Sequence, residues 1–572
     1  MDKKDKKDFF AARFQAIMIW FTVAVSLVIT LESGFLVHFP TWLHYSGVGL
    51  GLLFIAAGLL EFFFYFFVST SRKEFIRRNW WNLLFFVLIF LSLGNFEISR
   101  FIALLREIFF LLGLFSQKRI FRDFFAQPFL KNPTRLLAVS FLTIIIIGTI
   151  LLTLPVSSQI RERTSLIDSF FTATSATCVT GLIVKDTPKY WSTFGQIVIL
   201  ILIQTGGLGI MTFSISIALI FGARLGLREK RTMGEILEIP SVGEVGRIIR
   251  FILKFTFTAE FIGLILLFFR WLPFFGDAKK SFYFALFHSV SAFCNAGFSL
   301  FSNSLRGFVS DPIVNTVMML LIMFGGIGFV VVSGIFKREN FSHRWRLSLS
   351  RLTVHTKLVI IMTLVLIFVG FILFFIFEFD NTLIHQRIGG KIWASFFQSI
   401  TPRTAGFNTV DIFKLKDVTL LLLIFLMFVG ASPGSTGGGI KTSTFAILIL
   451  AVINMIRGKA DIEIFKRRVP KQIVYKAITI VVVSGFIVSI GTAFLLITQK
   501  DSFIHLLFEV TSAFGTVGLS TGVTFSLNGI GKIIIIVLIY IGRIGPLTLA
   551  YAVGRYSRKL KIEYPDARVM VG

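Results

Sequence analysis

Four short stretches of the chain share one order of residue types: FTATSATCVTGLI at 171–183, FHSVSAFCNAGFS at 287–299, FFQSITPRTAGFN at 396–408 and FEVTSAFGTVGLS at 508–520. In each, a phenylalanine stands ten positions ahead of a glycine: Phe171 and Gly181, Phe287 and Gly297, Phe396 and Gly406, Phe508 and Gly518. Hydroxyl and small side chains fill most of the interval, so the main-chain carbonyls are the groups best placed to meet a ligand. Glycine lets the backbone turn carbonyls to one side with no Cβ in the way. A ring of such carbonyls can replace the water around a dehydrated cation. The oxygens would come from about 178–181, 294–297, 403–406 and 515–518, which requires the four copies to meet at one axis.

The surroundings say where that axis lies. Of 572 residues 55% are hydrophobic, 15% are aromatic, including 70 Phe, and only 15% are charged, far from the profile of a soluble domain. Apolar stretches recur, for example at 136–155, 194–221, 354–377 and 472–498. Each is long enough to cross roughly 30 Å of hydrocarbon as a helix, and helices are the spanning element because lipid offers backbone groups no partner. Each glycine-ended segment has an apolar span before it, a second after it, and then a basic loop. The segment itself is too short to cross, so it enters from outside and returns, a re-entrant half-helix and loop lining protein or a water-filled cavity. The expected fold is an all-α integral membrane protein with four pseudo-symmetric copies around one pore.

The formal charge of +28 sits mainly in loops: RLGLREKR at 224–231, KRENFSHRWRLSLSR at 337–351, RGKADIEIFKRR at 457–468 and RYSRKLK at 555–561. The positive-inside rule makes these faces cytoplasmic, as both termini should be. A nucleic-acid partner would need a soluble basic domain, and no segment is long enough to form one; membrane lipids are the expected contacts of these loops. The basic N-terminus, MDKKDKKDFFAARF, runs into a long apolar stretch without a small-residue cleavage site, which predicts a retained anchor. Residues 1–131 hold extra spans, at about 15–37 and 45–68 and then a possible second pair at 80–96 and 98–116. Parity between basic loops requires two or four. Arg100, Arg106 and Glu107 fit an interfacial helix better than a voltage sensor. GVGLG at 47–51 lies inside an apolar run with no strand before it, so it signals helix packing rather than a dinucleotide site.

A second glycine element follows each copy: QTGGLGI at 204–210, MFGGIGF at 323–329, FVGASPGSTGGGIKT at 428–442 and YIGRIGPLT at 540–548. In the first two, small residues predict close helix packing. In the third, Pro433 with five glycines between 430 and 439 cannot continue a helix, and the span should break near its middle.

These four segments, the GGLG and GGIG elements, GSTGGGIKT and GRIGP closely resemble the Trk/Ktr/HKT superfamily of potassium transporters, in particular its ion-conducting membrane subunit. The resemblance covers about residues 132–560. It implies four M1-P-M2 units in one polypeptide, here 132–230, 240–345, 350–460 with a broken M2, and 470–560, ahead of a cytoplasmic tail at 561–572. It also implies a homodimer of separate pores in the bacterial inner membrane and a cytosolic nucleotide-binding regulatory ring of the RCK type on separate chains. The filter would comprise Thr177, Cys178, Val179, Thr180 and Gly181; Cys294, Asn295, Ala296 and Gly297; Arg403, Thr404, Ala405 and Gly406; and Gly515, Thr516, Val517 and Gly518. Potassium would be held at Thr180, Gly181, Ala296, Gly297, Ala405, Gly406, Val517 and Gly518. In the family a serine in the first copy marks sodium-permeable members; Gly181 stands there in this chain, which favours potassium. Ser432, Pro433, Gly434, Ser435, Thr436, Gly437, Gly438 and Gly439 match the family's intramembrane gate loop. Lys441 ends that loop, and Arg543 matches an arginine that projects below the filter as a barrier to cations.

Several of these residues have plainer readings. Arg543 or Lys441 could cap carbonyls at a broken helix end. Asp168 and Glu509, placed at the starts of two pore helices, are explained by the helix dipole before ion attraction. Arg403 would repel a cation if it faced the pore, so it should point backward to a carboxylate or a carbonyl. Asn295 and Asn408 would brace the filter. Cys178 and Cys294, three positions before their glycines, read as packing rather than a disulfide. His288 and His505, at or before pore helices, do not form a metal pattern, and no cofactor beyond the transported ion is called for. The expected function is channel-like potassium uptake. The alternative is a sodium- or proton-coupled carrier, for which Glu32, Glu61 and Glu260 are the few acidic residues within spans. An enzyme would need clustered His, Asp, Glu or Cys, and the spans hold no such set.

Overall fold

The computed structural model describes residues 85–86, 133–209, 245–335, 352–459, 461–465 and 467–546. The expected N-terminal spans apart from 85–86, with Arg100, Arg106, Glu107 and GVGLG, lie outside the described residues. So do the basic loops at 224–231, 337–351 and 555–561 and the tail at 561–572.

Along the chain the helices fall into sets of a long helix, a shorter one ending at a glycine segment, and a third. The first set is α1 (Pro133–Thr153), α2 (Leu166–Thr177) and α3 (Thr193–Leu208). The second is α4 (Val245–Phe275), α5 (Ala278–Phe293), α6 (Pro312–Gly326) and α7 (Phe329–Ile335). Then come α8 (Val354–Glu378), α9 (Ile388–Ile400), α10 (Asp417–Phe428) and α11 (Thr442–Ile456). The last set is α12 (Lys471–Thr498), α13 (Phe503–Gly515) and α14 (Gly529–Ile544).

Side-chain caps place several of the starts, since the first amides of a helix have no partner inside it. Ser165 accepts from Asp168 N at 3.2 Å, Asp277 from Lys279 N at 2.8 Å, Asp311 from Ile313 N at 3.0 Å and Asn528 from Gly531 N at 2.8 Å. The longest helices, α4, α8 and α12, include apolar stretches of 30, 25 and 28 residues with mean hydropathies of 2.0, 3.2 and 2.6, long and apolar enough to cross a bilayer. Their outward faces carry exposed Phe261, Phe269, Phe368 and Phe486. In water such residues would be a liability; in hydrocarbon they are matched to the solvent.

Each set packs upon the next in a fixed way. α3 lies against α5, α6 against α9, α10 against α13, and α14 returns to α2. The third helix of every set thus supports the short helix of its neighbour, and the cycle closes.

Three expectations change. The apolar run at 194–221 does not continue as one helix, because α3 stops at Leu208 with Gly209 at φ 76° as its C-cap. The second set breaks as well as the third, with α6 and α7 meeting at 101° across Ile327 and Gly328. In the third copy the buried aromatic is Phe397, fully enclosed like Phe171, Phe287 and Phe508, while Phe396 turns outward to stack on Phe371 at 3.9 Å. The register of this short helix is shifted by one residue relative to its glycine. The described residues are otherwise helix and loop, apart from an antiparallel pair, Glu463–Ile464 with Arg467–Arg468, in the loop at 457–468.

Candidate functional site

The four glycines meet. Gly181, Gly297, Gly406 and Gly518 have φ of 92°, 70°, 78° and 92°. Two positions earlier, Val179, Asn295, Thr404 and Thr516 are also left-handed, at 57°, 60°, 72° and 50°. For a β-branched residue this costs about 1–2 kcal/mol, and it persists only where the surroundings impose it. A Cβ on Gly181 would strike Ala296 O, and one on Gly518 would strike Thr180 O. A Cβ on Gly297 would lie 2.9 Å from Ala405 O, and one on Gly406 2.5 Å from Val517 O. The contacts therefore run from 181 to 297, 406 and 518 and back to 181. Among the eight residues expected to hold the ion, each glycine abuts the carbonyl of the residue preceding the next glycine.

A hydroxyl at the C-terminal end of each short helix secures its segment. Ser175 Oγ accepts from Gly181 N and Ser512 Oγ from Gly518 N, each at 3.1 Å. Ser291 Oγ donates to Phe298 O at 2.8 Å and Thr401 Oγ1 to Phe407 O at 2.5 Å. Thr401 stands five places before its glycine and the others six, which is the same one-residue shift seen at Phe397.

Above the ring opens a cavity of about 480 Å³ whose wall includes all four glycines with Asp186, Arg306, Asp411 and Asp501. Arg306 is paired to Asp411 at 3.1 Å, so the wall carries an excess of negative charge, which concentrates cations. Asp168 does not reach this wall. It starts α2 and is held by Lys532 at 2.6 Å and Lys185 at 3.8 Å.

Several residues sit elsewhere than expected. Arg403 points backward, but to a hydroxyl, Thr363 Oγ1 at 3.2 Å, rather than to a carboxylate or carbonyl. Glu509 is not at a helix start: α13 begins at Phe503, so the carboxylate lies mid-helix and fully buried. His288 likewise lies well inside α5, because the Asp277 cap starts that helix at Ala278, while His505 does stand in the first turn of α13. The Asn295 amide, oriented to satisfy both ends, donates to Ile322 O at 3.1 Å and Ala292 O at 3.0 Å, bracing its segment against α6 and α5. Asn408 N donates to Ser304 Oγ at 3.2 Å. Cys178 and Cys294 are both buried free thiols, and Cys294 Sγ lies 4.0 Å from the buried Glu260 carboxylate. No group of three or more His, Cys, Asp or Glu could hold a metal among the described residues.

Below the ring, residues 430–441 form an ordered loop. Thr436 N donates to Gly325 O at 3.2 Å, Ser432 N to Gly326 O at 3.0 Å, and Phe329 N to Gly434 O at 2.9 Å. The break between α6 and α7 is thus the seat of the loop. Gly438 N reaches Thr516 Oγ1 at 3.1 Å, tying the loop to the fourth glycine segment. Gly437 faces Thr404 so closely that a Cβ would overlap its hydroxyl. Lys441 Nζ donates back to Gly437 O at 2.7 Å. Arg543, in the last turn of α14, donates to Thr436 O and to Gly206 O. Gly206 belongs to the last turn of α3, so this arginine caps a helix end and holds the loop at once. Gly206, Gly325 and Gly542 each lie where a Cβ would overlap the carbonyl of Thr177, Phe293 or Phe514, at the C-terminal end of α2, α5 or α13.

Residues 103–557 match the TrkH family, described as a cation transport protein. The chain belongs to that family. Similar proteins include the Ktr system potassium uptake protein B of Bacillus subtilis, 42% identical over 443 residues, 77% of this chain and 97% of that protein. The Ktr system potassium uptake protein B of Vibrio alginolyticus is 43% identical over 440 residues, 77% and 94% of the two chains. The potassium/sodium uptake protein NtpJ of Enterococcus hirae is 37% identical over 448 residues, 77% and 97%. The crystal structure of the potassium transporter TrkH from Vibrio parahaemolyticus matches with a TM-score of 0.61 at 17% identity, covering 88% of this chain and 97% of that one, a likeness of fold. Membership in the TrkH family places the chain among cation transporters rather than enzymes.

In this TrkH-family chain, sequence analysis missed the seat of the loop at Gly325–Phe329 and the partners of Glu509 and His288. GGIG differs from GGLG by one aliphatic residue and gives no sign that one span bends back. Glu509 and His288 are different residue types at a shared level, so no pattern joins them.

Proposed function

We propose that the chain takes up potassium by a channel-like route, its cation passing through the ring of Gly181, Gly297, Gly406 and Gly518. The closed cycle of glycine contacts is the observation that supports this reading. Such a ring brings four sets of carbonyl dipoles to one axis, and these can stand in for a hydration shell. On this reading the helix sets are four M1-P-M2 units, 132–230, 240–345, 350–460 and 470–560, preceded by extra spans in 1–131. Thr177–Gly181, Cys294–Gly297, Arg403–Gly406 and Gly515–Gly518 form the filter, and Ser432–Gly439 with Lys441 and Arg543 form the gate. The inside-negative membrane potential draws the cation through.

The same reading makes the protein a homodimer of separate pores in the bacterial inner membrane, with both termini cytoplasmic. A separate cytosolic nucleotide-binding ring would move the gate, and relatives named as parts of a Ktr system support such a partner. Sodium, as co-ion or second cargo, is the other reading, favoured by the relative named for potassium and sodium uptake. Rubidium and potassium uptake into liposomes at inside-negative potential, measured against sodium with and without the co-expressed ring, tests both. Equal sodium and potassium flux would refute the selectivity, and flux indifferent to the ring would refute the control.

A further inference from the structure

In two of the four units a side chain of the pore helix reaches past the glycine and holds the strand that follows it. Glu509 Oε1 accepts from Ser520 Oγ at 2.6 Å, Thr521 N at 2.8 Å and Thr521 Oγ1 at 3.2 Å, and Oε2 accepts from Thr524 Oγ1 at 2.6 Å. Four donors on one carboxylate are what a fully buried acid needs. In the second unit His288 Nδ1 lies 2.8 Å from Phe284 O, and Nε2 lies 3.0 Å from Ser299 Oγ and 3.4 Å from Leu300 N. Phe284 O can only accept and Leu300 N–H can only donate, so the ring carries its proton on Nδ1 and accepts at Nε2. Ser299 and Ser520 stand two places after their glycines, Leu300 and Thr521 three. An imidazole and a carboxylate therefore make the same pair of bonds.

The other two units lack the strap. The equivalent level, three residues before the hydroxyl that secures each segment, is Thr172 in the first unit and Gln398 in the third. Thr172 Oγ1 donates to Asp168 O at 2.9 Å, within its own helix. Gln398 is fully buried, and neither end of its amide has a partner among the described residues. After Gly181 come Ile183 and Val184, which offer no side-chain donor. After Gly406 the strand is tied instead to the preceding unit's loop, through Asn408 N to Ser304 Oγ and Leu305 N to Asn408 O at 3.0 Å. In the order of glycine contacts, units two and four face each other across the ring.

We propose that His288 and Glu509 are positioning residues that set cation selectivity by strapping the strands after Gly297 and Gly518, along one diagonal of the ring only. The inference rests on the reading of the ring as ion-coordinating. A carbonyl cage prefers one alkali ion over another only while its oxygens keep their spacing and orientation, and the straps restrain the strands against drift.

The test is the rubidium-to-sodium uptake ratio of the full-length protein in liposomes. Glu509→Ala and His288→Leu are each expected to lower the ratio about tenfold, the loss matching one or two buried hydrogen bonds. Glu509→Gln keeps an oxygen for Ser520 and Thr521 and turns its amide to the Thr524 hydroxyl, which can rotate to accept; its ratio stays within about twofold of the unmodified protein. Thr172→Val and Gln398→Met, at the same level but without straps, leave the ratio unchanged. If Glu509→Ala fails to assemble, Ser520→Ala, Thr521→Val and Thr524→Ala together remove its three hydroxyl donors and leave only the Thr521 N–H: a lowered ratio supports the strap, an unchanged one overturns it. Three further results overturn it: Glu509→Ala retaining the ratio, Glu509→Gln losing as much as Glu509→Ala, or Gln398→Met losing as much as either. An unmodified protein with no preference for rubidium would sink the ion-coordinating reading first and the straps with it, whereas a selective protein indifferent to these variants would sink the straps alone.

Discussion

The guanidinium of Arg543 donates to the main-chain carbonyl of Thr436, so a charge carried by the last helix holds a loop that belongs to the third unit. Its second bond, to Gly206 O, anchors the same side chain in the first unit. A half-buried arginine is stabilised by such acceptors, and here donor and acceptors belong to three of the four helix sets.

Arg543→Gln removes a charge and shortens the reach to both carbonyls. Hydrogen bonds from a charged donor contribute about 1.5–3 kcal/mol, so the loop should leave its seat more often. Rubidium uptake into liposomes without a cytosolic partner is expected to rise about tenfold; unchanged or lower uptake would show that the arginine does not restrain the loop.

Gly181→Ser puts a side chain where φ is 92° and a Cβ overlaps Ala296 O. The segment must shift, and the left-handed conformation alone costs about 1–2 kcal/mol. The rubidium-to-sodium uptake ratio should fall about tenfold, and a ratio equal to that of the unmodified protein would separate this glycine from selectivity.

Lys532→Met leaves the largely buried Asp168 with only Lys185, 3.8 Å away. Because the pair joins α14 to α2, where the cycle of helices closes, a loss of about 1–3 kcal/mol is expected. The detergent-solubilised protein should melt several degrees lower. In a double-mutant cycle with Asp168→Asn, a coupling near zero would mean that the pair does not hold the closure together.

Gly328→Ala tests the seat of the loop. Gly328 has φ 97°, and a Cβ there would lie 2.5 Å from Pro433 O. The substitution should displace residues 432–434, lowering the melting temperature by a few degrees, about 1–2 kcal/mol, while raising basal rubidium uptake. Lower uptake with unchanged stability would contradict the role of this break as a seat.

Much of the ring was legible because Gly181, Gly297, Gly406 and Gly518 stand at near-equal intervals; Val179, Asn295, Thr404 and Thr516 share their positive φ, and it is the neighbouring carbonyl crowding any Cβ that leaves room for glycine alone. The third copy misled by one position. Counting back from Gly406 lands on Phe396, whereas burial and the Thr401 bond to Phe407 O put Phe397 in the equivalent place. The break before α7 was not legible, since it depends on Phe329 N finding Gly434 O more than a hundred residues away.

What the sequence determined by itself was the membrane as solvent, the recurrence of the glycine segments and the broken third span, because hydropathy, glycine and proline act through local backbone physics. Tertiary structure alone decided which carbonyl faces which glycine, where the loop sits, and that Glu509 and His288 make matching bonds. Those depend on distances between segments far apart in the chain, and different residue types can satisfy the same donors once packing has brought them within reach.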